Sequence, residues 1–147
     1  MEFIVDQQSE EFFLLEVNTR LQVEHGVTEE VFGIDLVEWM IRLAAGETFD
    51  LPAMRNTLLD DGHAIQVRLY AEDPYRDFQP SAGLLTEVRW PEPSDDLRID
   101  HWIEAGLEIS PWFDPMLAKV IVKAPTREQA LQRMQSVLAE IALYGCE

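Results

Sequence analysis

The stretch LLEVNTRLQVEH, residues 14–25, sets a polar side chain at every second position: Glu16, Asn18, Arg20, Gln22 and Glu24. In extended backbone, side chains i, i+2 and i+4 share a face. The spacing therefore predicts a strand whose polar groups project together, with Val17, Thr19, Leu21 and Val23 on the other side. Asn is poorly suited to a pleated surface. Two acids, two amides and a guanidinium on one face suit a binding surface. Spacing alone equally allows an amphipathic edge strand with a solvated side.

Upstream, EFIV (2–5), the polar DQQSEE and FFLLEV read as a strand, a turn and a second strand, an antiparallel hairpin with a longer loop. Downstream, Val27 to Val31 forms a short helical turn ending at Gly33. Ile34 to Ala45 is a stronger helix, with Leu36, Val37, Met40, Ile41 and Ala44 at helical spacing and Gly46 as its stop. Residues 46–62 show few periodic features and read as a connection. HAIQVRLYAEDP (63–74) is a strand with Ile65, Val67 and Leu69 on one face and Gln66, Arg68 and Tyr70 on the other, ended by Pro74. LLTEVRW, LRIDHWI and MLAKVIVKA read as further strands, the last one buried. Thr126 caps a final helix to about Leu143, with Ala130, Met134, Val137, Leu138 and Ile141 as its apolar stripe.

The chain has 147 residues and is 47% hydrophobic, enough for a sizeable core. Its 28 acidic and 11 basic side chains give a net charge of −17. That argues against nucleic acid or an anionic membrane as the main partner, since both call for basic patches. The single cysteine, Cys146, excludes a disulfide within the chain and fits a reducing compartment. No apolar run approaches a membrane span, and the N-terminus has no basic-then-apolar signal pattern, so cytoplasmic localisation is the expectation. The chain opens inside a strand and stops at YGCE directly after a helix, as a piece of a larger protein would.

EVNTRLQVEHGVTE (16–29) resembles the strand and loop of biotin carboxylase, the ATP-grasp component of biotin-dependent carboxylases. The resemblance continues in order through GIDLVEWMIRLAAGE (33–47), HAIQVRLYAEDP, FQPSAG (78–83) and ISPWFDPMLAKVIV (109–122). Gly26 stands where a proline is usual. With RLYAEDP and SPWFDPMLAK it is most similar to the urea carboxylase branch, including the carboxylase part of urea amidolyase; acyl-CoA and pyruvate carboxylases are the other branches.

The resemblance implies an α+β fold: the end of an ATP-grasp lobe, then a biotin carboxylase C-terminal-type domain, mostly antiparallel sheet with flanking helices. It implies residues 1–46 for the first part, 47–61 for a connection and 62–147 for a truncated C-terminal domain. It implies formation of carboxybiotin from bicarbonate, ATP and biotin, the biotin being carried on a separate domain. Glu2, Glu16 and Asn18 are then the expected holders of Mg²⁺ or Mn²⁺, since hard cations take carboxylate and carbonyl oxygens. Arg20, Gln22 and the backbone N–H of Val23 are the expected bicarbonate contacts, a guanidinium fork suiting paired oxygens. Glu24 corresponds to the general base that deprotonates bicarbonate, beside Arg20. Arg68 corresponds to the arginine that steadies the biotin enolate. Ile4 and Leu15 resemble apolar contacts beneath the adenine. His25, His63 and His101 carry no role beyond structural hydrogen bonds.

The only lysines are Lys119 and Lys123, and the 7 glycines form no Gly-rich loop. The ATP-holding lysines of the family lie before such a segment, so a missing N-terminal ATP-grasp portion, a biotinyl carrier domain and a carboxyltransferase part are the implied partners, with a homodimer through the C-terminal domain. The isolated chain is then expected to be inactive. Two alternatives stay open: another ATP-grasp ligase that activates a carboxylate, and a non-catalytic product acting through an association surface alone.

Overall fold

Glu2–Val5 (β1) and Phe12–Glu16 (β2) pair antiparallel. The loop between them is an Asx turn in which Asp6 Oδ1 accepts the N–H groups of Gln8 and Ser9, both at 2.8 Å. The computed structural model describes residues 1–58 and 62–146. Both hairpin faces carry exposed apolar side chains, among them Phe12, Phe13, Leu14 and Leu15. A two-stranded hairpin of this kind has little stability of its own in water.

The strand expected over 14–25 ends at Glu16. In extended backbone Gln22 would stand roughly 20 Å beyond Glu16. Instead Gln22 Nε2 lies 3.4 Å from Glu2 Oε1, on the residue paired with Glu16. The chain must fold back. The amides of Asn18 and Gln22 do this by donating to the same carboxylate, a long-range preference that overrides the local alternation.

The turn leads into His25–Phe32 (α1), which ends at Gly33 in the left-handed region (φ 64°), the Gly33 N–H donating to Glu29 O at 2.8 Å. Leu36–Ala44 (α2) begins two residues later than expected because Asp35 caps it, accepting from the Glu38 N–H. Leu51–Thr57 (α3) was expected only as part of a connection, one that also lies partly outside the described residues. Asp50 caps it, and Pro52 sits in its first turn, where its missing N–H costs nothing.

The chain continues through His63–Tyr70 (β3), Glu72–Asp73 (β4), Gln79–Pro80 (β5), Gly83–Leu84 (β6), Glu87–Arg89 (β7), Leu97–His101 (β8), Glu108–Ile109 (β9), Met116–Ala124 (β10), Arg127–Glu140 (α4) and Ala142–Tyr144 (β11). The central sheet has the order β3-β10-β8, all antiparallel. α4 covers one face: Met134 and Val137 pack on Val120 and Val122, with Ile65, Val67, Leu69, Leu97 and Ile99 around them. α1 lies on the opposite face, where Gly26 sits against Ile121 and Gln66, a cross-strand pair. With both faces covered, the middle strand β10 reads as a continuous apolar run rather than an alternating one.

A second core gathers Leu85, Ile103, Ile109, Leu117 and Ala71. It splits the strand expected over 84–90: Leu84 pairs with β9, Leu85 turns inward, and Glu87–Arg89 pairs with β11. β11 also shortens the last helix, expected to Leu143, because Ile141 is already extended (φ −69°, ψ 130°) and directs the chain to β7.

Gly26 sets how closely α1 approaches the sheet. An added Cβ would overlap Ile121 Cδ1, which is fully buried. Gly26→Ala should therefore destabilise the protein by about 1–3 kcal/mol through overpacking. Ile121→Val, which removes the colliding methyl, should recover much of that loss in a double-mutant cycle read by urea unfolding. Additive effects of the two substitutions would show that the close approach is not what constrains residue 26.

Candidate functional site

The residues of the turn meet around one carboxylate. A β-bulge at the end of the hairpin places Glu16, not Leu15, opposite Glu2, so two acids stand side by side. Asn18 Nδ2 donates to Glu2 Oε1 at 2.6 Å and to Glu16 Oε1 at 3.2 Å. Arg20 Nη1 donates to Asn18 Oδ1 at 2.7 Å, and Gln22 Nε2 reaches Glu2. Glu2, Glu16, Asn18, Arg20 and Gln22 thus form one hydrogen-bonded group, brought together by a fold-back rather than by a shared strand face.

Glu24 stands apart from that group. Its partner is Arg68 on β3, whose Nη2 donates to Glu24 Oε2 at 2.9 Å, and not Arg20 as the sequence suggested. Both side chains are substantially open to solvent, at 52% and 39%, so the pair adds at most about 1 kcal/mol of stability. Its effect is to orient the carboxylate over the sheet. Hydrogen bonding to Tyr70, offset by some burial and helped by Glu24, raises the Arg68 pKa above its ordinary value. Val23 is in the turn and exposed. The pairing register puts Ile4 opposite Phe13, so Ile4, Phe13 and Leu15 share one hairpin face.

Two acids on adjacent strand ends repel unless something positive lies between them. Here the Asn18 amide N–H group does, while its carbonyl oxygen faces Arg20 Nη1. The two carboxylates are oxygen donors that suit a small divalent cation, and turning the Asn18 amide over would bring its oxygen to the same place. Among the described residues no group of three or more His, Cys, Asp or Glu is assembled for a metal. The candidate set is two carboxylates and one amide.

Beneath the turn lies a charged layer that the sequence did not single out. Glu29 of α1, buried, accepts from Arg98 Nη1 at 2.7 Å. Arg98 also grips Asp100, and Lys119 Nζ lies 3.0 Å from Asp100. The hydrogen bond to Asp100 leads in pushing Arg98 further up its already high range, and Glu29 adds to it. Burial pushes Asp100 up, but Arg98 and Lys119 outweigh it and leave the carboxyl below its usual range. The alternation R-x-D on β8 facing E-E on α1 was the available signal, visible only once the two are known to be stacked.

Residues 66–147 match the family described as the biotin carboxylase C-terminal domain, and residues 1–52 match the ATP-binding domain of the carbamoyl-phosphate synthase L chain. The chain belongs to the biotin carboxylase family. The α+β architecture expected of such a chain is the one observed, with antiparallel sheet and flanking helices. The chain is 47% identical over 146 residues to urea amidolyase of Saccharomyces cerevisiae, covering 99% of the chain and 8% of that protein. It is 46% identical over 145 residues to biotin carboxylase of Halalkalibacterium halodurans, covering 31% of it. Among solved structures, urea carboxylase of Kluyveromyces lactis superposes with a TM-score of 0.91 at 46% identity, over 99% of this chain and 12% of that one. The biotin carboxylase domain of Hydrogenobacter thermophilus 2-oxoglutarate carboxylase, a dimer crystallised with MgADP and bicarbonate, gives 0.90 at 39% identity, over 99% of this chain and 31% of that one. The chain therefore spans less than a third of each of these relatives. Among the described residues no helix is long and apolar enough to cross a membrane.

Proposed function

We propose that this chain supplies the cation- and bicarbonate-binding turn of an ATP-dependent biotin carboxylase, in an enzyme of the urea carboxylase type. The gathering of Glu2, Glu16, Asn18, Arg20 and Gln22 at one hairpin end, with Glu24 held on Arg68 nearby, carries this reading. Glu2, Glu16 and Asn18 hold Mg²⁺ or Mn²⁺. The bound cation and ATP supply phosphoryl activation of bicarbonate. Arg20, Gln22 and the Val23 N–H bind bicarbonate, and Glu24 Oε accepts its proton. Arg68 orients Glu24 and offers a fixed positive charge to the ureido oxygen of biotin. The shared face of Ile4 and Leu15 supports their place beneath the adenine. The proposed division is 1–46 for the end of the ATP-grasp part, 47–61 for a connection and 62–147 for the C-terminal domain, with α1 of the first part packed on the sheet of the last. Biotin arrives on a carrier domain, a carboxyltransferase part takes the carboxyl onward, and the C-terminal sheet region forms the homodimer contact. The urea branch is favoured by the identity to urea amidolyase, and a cytoplasmic enzyme fits the single cysteine.

Exposed apolar side chains on the hairpin favour a second reading, an association module without chemistry. One exchange separates the two. Residues 1–147 replace the matching 145 residues of the Halalkalibacterium biotin carboxylase, and bicarbonate-dependent ADP release with biotin is measured. Activity within about tenfold of the parent, or 1.4 kcal/mol in barrier, supports catalysis. A folded, nucleotide-binding but inactive chimera rejects the turn as catalytic and leaves association.

A further inference from the structure

His25 stands at the joint between the turn and α1. Its Nδ1 is 2.7 Å from the carbonyl oxygen of Gln22. A carbonyl oxygen only accepts, so Nδ1 carries the proton and donates. Its Nε2 faces Glu29 Oε2 at 3.8 Å. The ring is 11% exposed and Glu29 6%, so both are held among other atoms. Glu29 cannot swing away: Oε1 accepts the Leu36 N–H at 2.8 Å, and Oε2 accepts from Arg98 at 2.7 Å.

The Gln22 carbonyl already accepts the backbone N–H of His25 at 3.2 Å. The imidazole is therefore not needed to satisfy that oxygen. What it adds is a second donor to that oxygen, from a ring packed beside Glu29 at the start of α1. Glu29 is itself held by Arg98 on β8, in the same sheet that carries Arg68 on β3.

We propose that His25 is a positioning residue for the bicarbonate turn: its Nδ1–H anchors the Gln22 carbonyl and sets the placement of Gln22, Val23 and Glu24 relative to Arg68. This rests on the bicarbonate reading of the turn. It gives His25 a role that its sequence context did not suggest.

The test uses a complete carboxylase carrying this segment. His25→Leu removes the donor and should raise KM for bicarbonate by about five- to tenfold, the scale of one hydrogen bond. KM for ATP should stay within about twofold. His25→Asn keeps an N–H near the Nδ1 position and should restore the bicarbonate KM. His25→Gln, whose amide extends past that position, should not. A purely structural histidine would lower the melting temperature in all three without moving bicarbonate KM selectively, and that result overturns the proposal. Should His25→Leu fail to fold, equal bicarbonate KM values in the Asn and Gln variants overturn it as well. Glu24→Gln is assayed in parallel. If it turns over normally, the bicarbonate reading falls and the proposal with it. If it is inactive while His25→Leu keeps a normal bicarbonate KM, only the positioning role falls.

Discussion

Glu24→Gln, in a complete carboxylase carrying this segment, should slow bicarbonate-dependent ATP cleavage by about 10²–10⁴-fold, the usual contribution of a general base. The amide is nearly isosteric and can still accept from Arg68 through its oxygen, so the turn should keep its shape. What it cannot do is take a proton. Nucleotide affinity should change by less than about threefold, because Glu24 pairs with Arg68 and not with the Glu2 group that would face the phosphates. Single-turnover ADP release at saturating bicarbonate separates proton transfer from binding. Turnover within a factor of about three of the parent would remove Glu24 from the chemistry.

The second large effect concerns the chain by itself. Mg–ATP should bind the 147-residue chain no better than millimolar, about a thousandfold weaker than a micromolar nucleotide site. Glu2 and Glu16 stand together, and Arg20 is joined to them through Asn18. Arg68 and Arg98 are already engaged by carboxylates, and Lys119 lies beside Asp100. A phosphate tail would meet acids first. The hairpin face that carries Ile4 and Leu15 is open, so the chain should also self-associate as its concentration rises. Titration calorimetry with Mg–ATP and light scattering over a concentration series read the two effects. Micromolar binding by this chain would mean that the phosphate contacts lie within these residues after all.

Much of the fold follows from local rules. The hairpin, the capped helix after Asp35, the buried strand 116–124 and the helix after Thr126 are each signalled by alternation, periodicity or a cap. Two of the failures share one cause, a distant partner stronger than the local preference, whereas the missed helix after Asp50 and the later start after Asp35 were set by local caps. Residues 17–24 alternate as a strand should, yet two amides choose Glu2 instead of continuing the ladder. Ile141 to Tyr144 continues an apolar helical stripe, yet β7 offers an unpaired edge. At the site, the residue types of the turn and Arg68 were legible from the motif, whereas the pairing of Glu24 with Arg68 was not, because it joins residues 44 positions apart. Glu29 and Arg98 were invisible for the same reason, being 69 apart.

The layer between α1 and the central sheet has a consequence for recombining this protein with its relatives. An apolar interface fixes alignment through shape alone. Here Glu29 must find Arg98, and Glu24 must find Arg68, while Gly26 leaves no slack above Ile121. The helix therefore docks like a key with fixed teeth. Between parents that differ at these residues, a crossover placed between 33 and 62 would join one parent's teeth to the other's lock. Crossovers outside 24–121 would transfer both halves intact, so productive hybrids should cluster there.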